Sequence, residues 1–132
     1  MTEEDACRTY ATAWNRLAPD DLINVLDEDV RYTSQAVLLE MRGKQKVAEY
    51  LRQKMDTVRS SPAFKVLAEL AETQPYPMYP NAPRPCVVVA QGKPENLVAT
   101  VLFTVASSKI IAIDICVIPP PYTTKRLGEF PR

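Results

Sequence analysis

The sequence predicts an α+β domain, with helices in its N-terminal half and a mostly antiparallel sheet in the remainder. Apolar residues recur at helical spacing up to about residue 26 and again from residue 44. Between these segments and over most of the second half they alternate with polar residues one by one, as in a strand. The chain has 132 residues, of which 46% are hydrophobic and 24% are charged. This size and composition indicate one globular domain.

The first helix begins at a capping motif, because Thr2 and Asp5 have the spacing that lets each side chain bond the other's backbone. Pro19 ends this helix and suits the start of a short second one. The acidic side chains of Asp20 and Asp21 favour the positive end of that second helix. The apolar stripe of the first helix comprises Cys7, Tyr10, Ala11, Trp14, Leu17 and Ala18.

The acidic run at 27–29 predicts a solvated turn, after which Val30, Tyr32 and Ser34 share one face of a strand. A second short strand is predicted over 37–41. The Arg-Gly step that follows opens a third helix near residue 44, with an apolar stripe of Val47, Leu51, Met55 and Val58.

Residues 63–72 alternate as a strand does but contain good helix formers, and the strand-rich remainder favours the strand. Three clearer strands follow at 86–91, 96–106 and 109–118. Residues 75–85 hold five prolines and predict either a functional flap or a rigid surface spacer.

The domain is predicted to cover residues 1–118, and 119–132 is predicted to be an extended, proline-rich tail. A peptide ligand for a proline-reading domain is an alternative interpretation of this tail.

The balance of charge argues against nucleic acid and membrane partners, since 16 basic residues match 16 acidic ones without a long basic run. The longest apolar stretch is too short to span a bilayer as a helix. Three widely spaced cysteines and an acidic start without an apolar run predict free thiols in a reducing cytoplasm. Because the chain has no histidine, we expect neither a metal site nor a cofactor.

The order of elements resembles the nuclear transport factor 2-like superfamily over most of the chain. The similar motifs are the segments 10–15, 20–22, 26–30, 43–51 and 109–113. The resemblance implies a strongly curved, cone-like sheet with three helices over its concave face. It implies no single function, because the superfamily includes isomerases, cyclases, dehydratases and plain binding domains.

The ketosteroid isomerases of that superfamily hold an enolate oxygen with a helix tyrosine and a protonated aspartic acid, and a second aspartate moves the proton. By resemblance, the tyrosine falls on Tyr10, the base on Ser34 and the acid on Val101. A serine without a neighbouring base cannot abstract a carbon-bound proton, and a valine donates nothing. No catalytic residue is therefore predicted, apart from Tyr10 as a weak candidate acid.

The resemblance also implies a ligand pocket with an apolar and aromatic lining, which is how small-molecule sites are usually built. An alternative is a filled core in which the tyrosine hydroxyls find backbone partners. The predicted pocket residues are Tyr10, Trp14, Tyr32, Ser34, Leu51, Met55, Val101, Phe103, Ile113 and Ile115, with Val117 beyond them.

Asp114 is a lone carboxylate in an apolar strand and would suit a buried base, but alternation places it on the opposite face from Ile113 and Ile115. It shares that face with Ala112 and Cys116. On the resemblance this outer face forms homodimers, so these three residues are predicted to lie at a dimer interface. Glu40 and Glu69 are predicted to be solvated charges.

Three functions remain open from the sequence. The preferred one is a homodimeric binding domain for a small apolar or aromatic molecule. The second is an isomerase, cyclase or dehydratase that uses Tyr10 as an acid with an unidentified base. The third is a domain that only dimerises, or docks a partner through residues 75–85.

Overall fold

The computed structural model describes residues 1–75 and 82–132. The helices are α1 (Glu3–Arg16), α2 (Asp20–Asn24) and α3 (Lys44–Ser60). The strands are β1 (Leu26–Ser34), β2 (Leu39–Arg42), β3 (Val66–Glu72), β4 (Pro85–Gln91), β5 (Leu97–Ala106), β6 (Lys109–Cys116) and β7 (Lys125–Glu129). Single 3-10 turns lie at Pro62–Phe64 and Pro121–Thr123. Residues 76–81 of the predicted proline-rich loop lie outside the described residues, so its interpretation as a flap or spacer stays a prediction.

The strands form one sheet in the order β2-β1-β6-β5-β4-β3-β7. Every neighbouring pair is antiparallel except β1 with β6, which is parallel. Helix α1 packs on β3, β4 and β5, while α3 packs on β1 and β2. The predicted α+β architecture, with three helices over one face of a curved sheet, is confirmed.

Helix α1 begins at the predicted capping box. The Asp5 backbone N–H donates to Thr2 Oγ1 at 3.1 Å, and the Thr2 N–H donates to Asp5 Oδ2 at 2.9 Å. The helix ends where Leu17 adopts a left-handed backbone with φ 53°. These local signals fix where the helix starts and stops, and therefore which turns present Tyr10 and Trp14 to the sheet.

The acidic run at 27–29 is part of β1 rather than a turn. The Ile110 N–H donates to Val25 O at 2.8 Å, and Leu26 already pairs with Ile110, so the ladder begins before the acidic residues. The register of β1 against β6 shifts between Leu26 and Arg31. This irregularity keeps Glu28 and Asp29 exposed, as the predicted solvation required, while the backbone stays in the sheet.

The alternation predicted for the long strands is confirmed by the pairing. Val101 faces Ile115 and Phe103 faces Ile113 across β5 and β6, and all four pack with the helices in the main core. The outer face carries a second, smaller apolar cluster, comprising Ala71, Cys86, Val88, Leu102 and Cys116.

The C-terminal segment is extended, but part of it joins the sheet. Strand β7 pairs with β3 and lies at the edge of the sheet, beyond the predicted domain end at residue 118. Pro119 and Pro121 are buried, and Thr100 Oγ1 donates to the Pro119 carbonyl at 2.8 Å on the outer face. This strand was not predicted, because its residues do not alternate between apolar and polar and include Gly128.

Glu69 corrects another prediction, because its side chain is buried rather than solvated. It is 4% exposed, and it accepts hydrogen bonds from Arg126 Nε at 2.6 Å and from the Gly128 N–H at 2.9 Å. The return of β7 along β3 therefore covers this carboxylate and supplies its partners. Glu40 is exposed, as predicted.

Candidate functional site

An aromatic cavity lies between the helices and the concave face, towards the end of the sheet where β1 ends and β5 begins. Its volume is about 240 Å³. The C-terminal half of α1 supplies Tyr10 and Trp14, β1 supplies Tyr32 and Ser34, and β5 and β6 supply Val101 and Ile115. These six are among the ten residues predicted to line a pocket, and the structure brings them to one cavity.

The other four predicted residues lie in the packed core instead. Leu51 is 1% exposed, and Met55, Phe103 and Ile113 are fully buried. The ring of Tyr10 packs against Phe103 edge to face, with centroids 5.2 Å apart, so this part of the concave face is filled. The predicted pocket and the alternative of a filled core therefore each describe part of the concave face.

Helix α3 lines the cavity with residues that the sequence analysis missed, namely Tyr50, Lys54 and Val58. They lie four residues apart, so they form one row along the helix. Tyr50 and Lys54 each precede a core residue, Leu51 and Met55, by one position. Helical spacing could have indicated the row, but it could not show whether this row or the adjacent one faces the cavity.

The remaining lining residues come from strands and from one turn. They are Val37, Val66, Val89, Gln91, Val98 and Ala99. Val37 and Val98 are exposed at the mouth, where the two residues are 67% and 42% accessible. The mouth of the cavity is therefore apolar on two sides.

The tyrosine hydroxyls sit in an environment that disfavours ionisation. Burial raises the pKa of Tyr10, and the nearby Trp14 indole opposes this with a smaller effect. Burial likewise raises the pKa of Tyr32, and the neighbouring Tyr10 and Tyr50 add to the rise. These hydroxyls therefore stay neutral over the physiological pH range and can serve as hydrogen-bond donors.

Trp14 presents a donor without a matching acceptor. Its indole nitrogen is buried and has no hydrogen-bond partner of ordinary geometry among the described residues. It still lies close enough to the Tyr10 hydroxyl to lower that group's pKa. The contact between the indole and the hydroxyl is therefore electrostatic, because it lacks the alignment of donor and acceptor that a hydrogen bond needs.

Chemically, the lining residues offer hydroxyls, one amide and one ammonium, and none of the described lining residues is a carboxylate. No group of three histidine, cysteine or acidic side chains that could hold a metal ion occurs within residues 1–75 and 82–132. The cysteines lie elsewhere and are buried, and burial raises the pKa of Cys86 to about 12 and of Cys116 to about 11.

On the outer face, Asp114 is engaged within the chain. Thr33 Oγ1 donates to Asp114 Oδ1 at 2.5 Å, and Arg31 Nη2 lies 3.6 Å from the same oxygen. Ala112 and Cys116 are each only 5% exposed. Two of the three predicted interface residues are thus already covered in a single chain, and the carboxylate has local partners.

Other hollows have volumes similar to or larger than that of the aromatic cavity, but they have different linings. One of about 260 Å³ lies between α1 and the edge formed by β3, β4 and β7. The two arginines that line this hollow form ion pairs within the chain, Arg8 with Glu129 and Arg84 with Glu3. Two larger hollows, of about 430 and 460 Å³, lie on the helix surface and on the outer face. We favour the aromatic cavity, because an apolar lining with few polar groups is typical of ligand sites.

No protein-family model matches the sequence, and no curated protein matches it. Among solved structures, an NTF2-like protein of unknown function from Cytophaga hutchinsonii has a TM-score of 0.58 at 13% identity, covering 92% of this chain and 95% of that one. A SnoaL-like protein of unknown function from Burkholderia thailandensis has a TM-score of 0.59 at 16% identity, with coverages of 86% and 92%.

This chain has the nuclear transport factor 2-like fold. A third similar structure is a protein with a ketosteroid isomerase-like fold from Catenulispora acidiphila, in complex with trimethylamine, with a TM-score of 0.53, 15% identity and coverages of 87% and 86%. At these identities the likeness concerns the fold, and the function has to be argued from the site. No helix of the described residues is long and apolar enough to cross a membrane.

Proposed function

We propose that this chain is a binding domain for a small apolar or aromatic molecule, which it holds in the aromatic cavity. The observation that carries the proposal is the lining itself, in which Tyr10, Trp14, Tyr32 and Tyr50 surround a solvent-accessible space. A space of about 240 Å³ is just below the range of roughly 300–1,000 Å³ typical of drug-sized ligands. The ligand is therefore small.

Affinity and specificity have separate sources in this proposal. Burying the apolar body of the ligand contributes roughly 25 cal/mol per Å² of apolar surface removed from water. The hydroxyls of Tyr10, Tyr32 and Ser34 and the indole of Trp14 then select molecules that place an acceptor where these donors point. The similar protein from Catenulispora acidiphila, in complex with trimethylamine, supports the idea that this fold accommodates small organic molecules.

The test is native mass spectrometry of the purified protein, followed by calorimetry with the molecule that it carries. Trp14→Ala should weaken binding at least about tenfold, because the variant loses an aromatic wall worth several kcal/mol of burial. Tyr122→Ala is the matched control, since Tyr122 is an exposed aromatic residue that does not line the cavity. Equal affinities of the wild type and Trp14→Ala would contradict the proposal.

Catalysis is the second candidate, favoured by the position of Tyr10 at the inner wall of the cavity. The described lining offers no carboxylate to act as its base, so the binding function is preferred. A bell-shaped pH–rate profile on a carbonyl substrate, abolished in Tyr10→Phe, would instead establish an enzyme. Substrate binding without turnover would exclude this candidate for that substrate.

A homodimer through the outer face is proposed on the resemblance. Sedimentation equilibrium of the wild type and of Asp114→Ala tests it, and a dimer that dissociates in the variant would support an interface at Asp114. A monomeric wild type would contradict the dimer. Should purified protein carry no small molecule, docking of a partner through residues 75–85 becomes the leading alternative.

A further inference from the structure

Among the described residues that line the aromatic cavity, Lys54 is the charged one, and no described acidic group compensates its charge. Lys54 makes no ion pair with any carboxylate that the structure describes. All the ion pairs found in these parts of the chain use arginines. On its own helix, the positions three and four residues away from Lys54 carry Tyr50, Leu51, Thr57 and Val58, none of them acidic.

The ammonium group is also held at the cavity wall. Lys54 Nζ lies 5.7 Å from the centre of the Tyr50 ring, within the distance at which a cation and an aromatic face attract each other. Tyr50 in turn packs against Tyr32, with ring centroids 5.3 Å apart. A positive charge is therefore positioned beside the aromatic lining, at a solvent-exposed point of the cavity wall.

From this arrangement we infer that the ligand is an amphipathic monoanion, with its apolar body among the aromatic side chains and its carboxylate or similar anionic group at Lys54. The inference rests on the proposed binding function and adds the charge of the ligand. Amines are disfavoured, because the Lys54 ammonium repels a second positive charge and none of the described lining residues is an acid that could balance it. Neutral molecules bind but gain nothing from Lys54.

The test uses three compounds that share one skeleton and differ in charge: cyclohexylacetate, 2-cyclohexylethanol and 2-cyclohexylethylamine. None of them absorbs where tryptophan is excited. Trp14 is the only tryptophan of the chain and lines the cavity, so its emission reports binding directly. Isothermal titration calorimetry gives the same dissociation constants independently.

Cyclohexylacetate should bind the wild type about fivefold more tightly than the alcohol, the upper end of what an ion pair at an exposed lysine contributes, and the amine should bind most weakly. Lys54→Met keeps the apolar stem, so the acetate should fall to the affinity of the alcohol. Lys54→Glu should reverse the order of acetate and amine. Lys46→Met is the control, because Lys46 is exposed on the same helix and does not line the cavity.

Equal binding of acetate and alcohol by the wild type would overturn the inference and leave the proposed binding function intact. Tighter binding of the amine would also overturn it, and would indicate a cage for cations. If none of the three compounds binds, the proposed function fails together with the inference. If Lys54→Met still binds the acetate more tightly than the alcohol, another residue binds the anionic group and the inference is wrong.

Salt provides a readout that needs no variant. Between ionic strengths of about 0.01 M and 1 M the Debye length falls from roughly 30 Å to 3 Å. The advantage of acetate over alcohol in the wild type should shrink over this range, while the affinity of the alcohol stays nearly constant. An advantage that does not depend on salt would contradict an ionic contact with Lys54.

Discussion

Ile113 and Ile115 of β6 face the helices, whereas Asp114 between them faces outward and is held by Thr33 and Arg31. The same contrast recurs on β3, where Ala68 and Leu70 point inward and Glu69 points outward to Arg126. Asp114 and Glu69 therefore lie on the outer face, each with a local partner. Where it lines the cavity, the inner face carries apolar, hydroxyl and amide groups.

The outer face therefore contributes to the stability of the fold, whereas the inner face contributes both to stability and to the proposed ligand binding. The outer face uses charge to fix the chain to itself, through the pairs of Arg126 with Glu69 and Arg31 with Asp114. The inner face uses packing where it is filled and leaves a cavity where the cover of α1 and α3 is incomplete. Changes on the two faces should accordingly have different costs, which the following experiments measure.

The largest effect is expected from Phe103→Ala at the filled part of the inner face. Phe103 is fully buried and packs against Tyr10, so the substitution should lower the free energy of unfolding by about 3–5 kcal/mol. Urea denaturation measures this loss. Thr104→Ala, at an exposed position of the same strand, should change the free energy by less than about 0.5 kcal/mol. A small loss for Phe103→Ala would show that this part of the face is not tightly packed.

The next effect should come from Glu69→Ala on the outer face. This variant removes the acceptor of Arg126 and of the Gly128 N–H, and the cost should be about 1–3 kcal/mol. Glu40→Ala is the matched control, because Glu40 is exposed and pairs only with an exposed arginine at 3.8 Å. If the two variants are equally stable, the carboxylate of Glu69 does not hold β7.

The smallest effect expected for a single group is the loss in free energy of unfolding that each buried thiol causes at alkaline pH. Burial raises the pKa of all three thiols in the folded protein, to about 12 for Cys86 and about 11 for Cys116. Between pH 9 and pH 10 the unfolded chain releases these protons while the folded chain keeps them, so stability falls as pH rises. The loss should be about 1 kcal/mol per thiol over this interval.

Urea denaturation at pH 8, 9 and 10 measures the alkaline effect, and Cys116→Ala should show a shallower decline than the wild type. Stability that does not change between pH 8 and pH 10 would mean that the thiols are accessible to water in the folded protein. The thiols belong to both faces, since Cys7 lies in the main core and the other two lie in the outer cluster.

The sequence by itself determined the order of the elements from α1 to β6, the N-terminal cap of α1 and the assignment of residues on the long strands to the two faces. Helix periodicity, strand alternation and capping are local properties, so Asp114 could be placed opposite Ile113 without a structure. The resemblance of the sequence to a known fold, rather than a local pattern, indicated six of the residues that line the cavity.

Only the tertiary structure decided which part of the inner face is filled and which is hollow. Tyr50 and Lys54 differ from Leu51 and Met55 by one position, about 100° around the helix, and the rotation of α3 about its axis is set by packing across the domain. The position of β7, which covers Glu69, depends on a contact between residues about sixty positions apart. Such long-range contacts leave no periodic signal in the sequence, because their free energy depends on surfaces that exist only after the chain has folded.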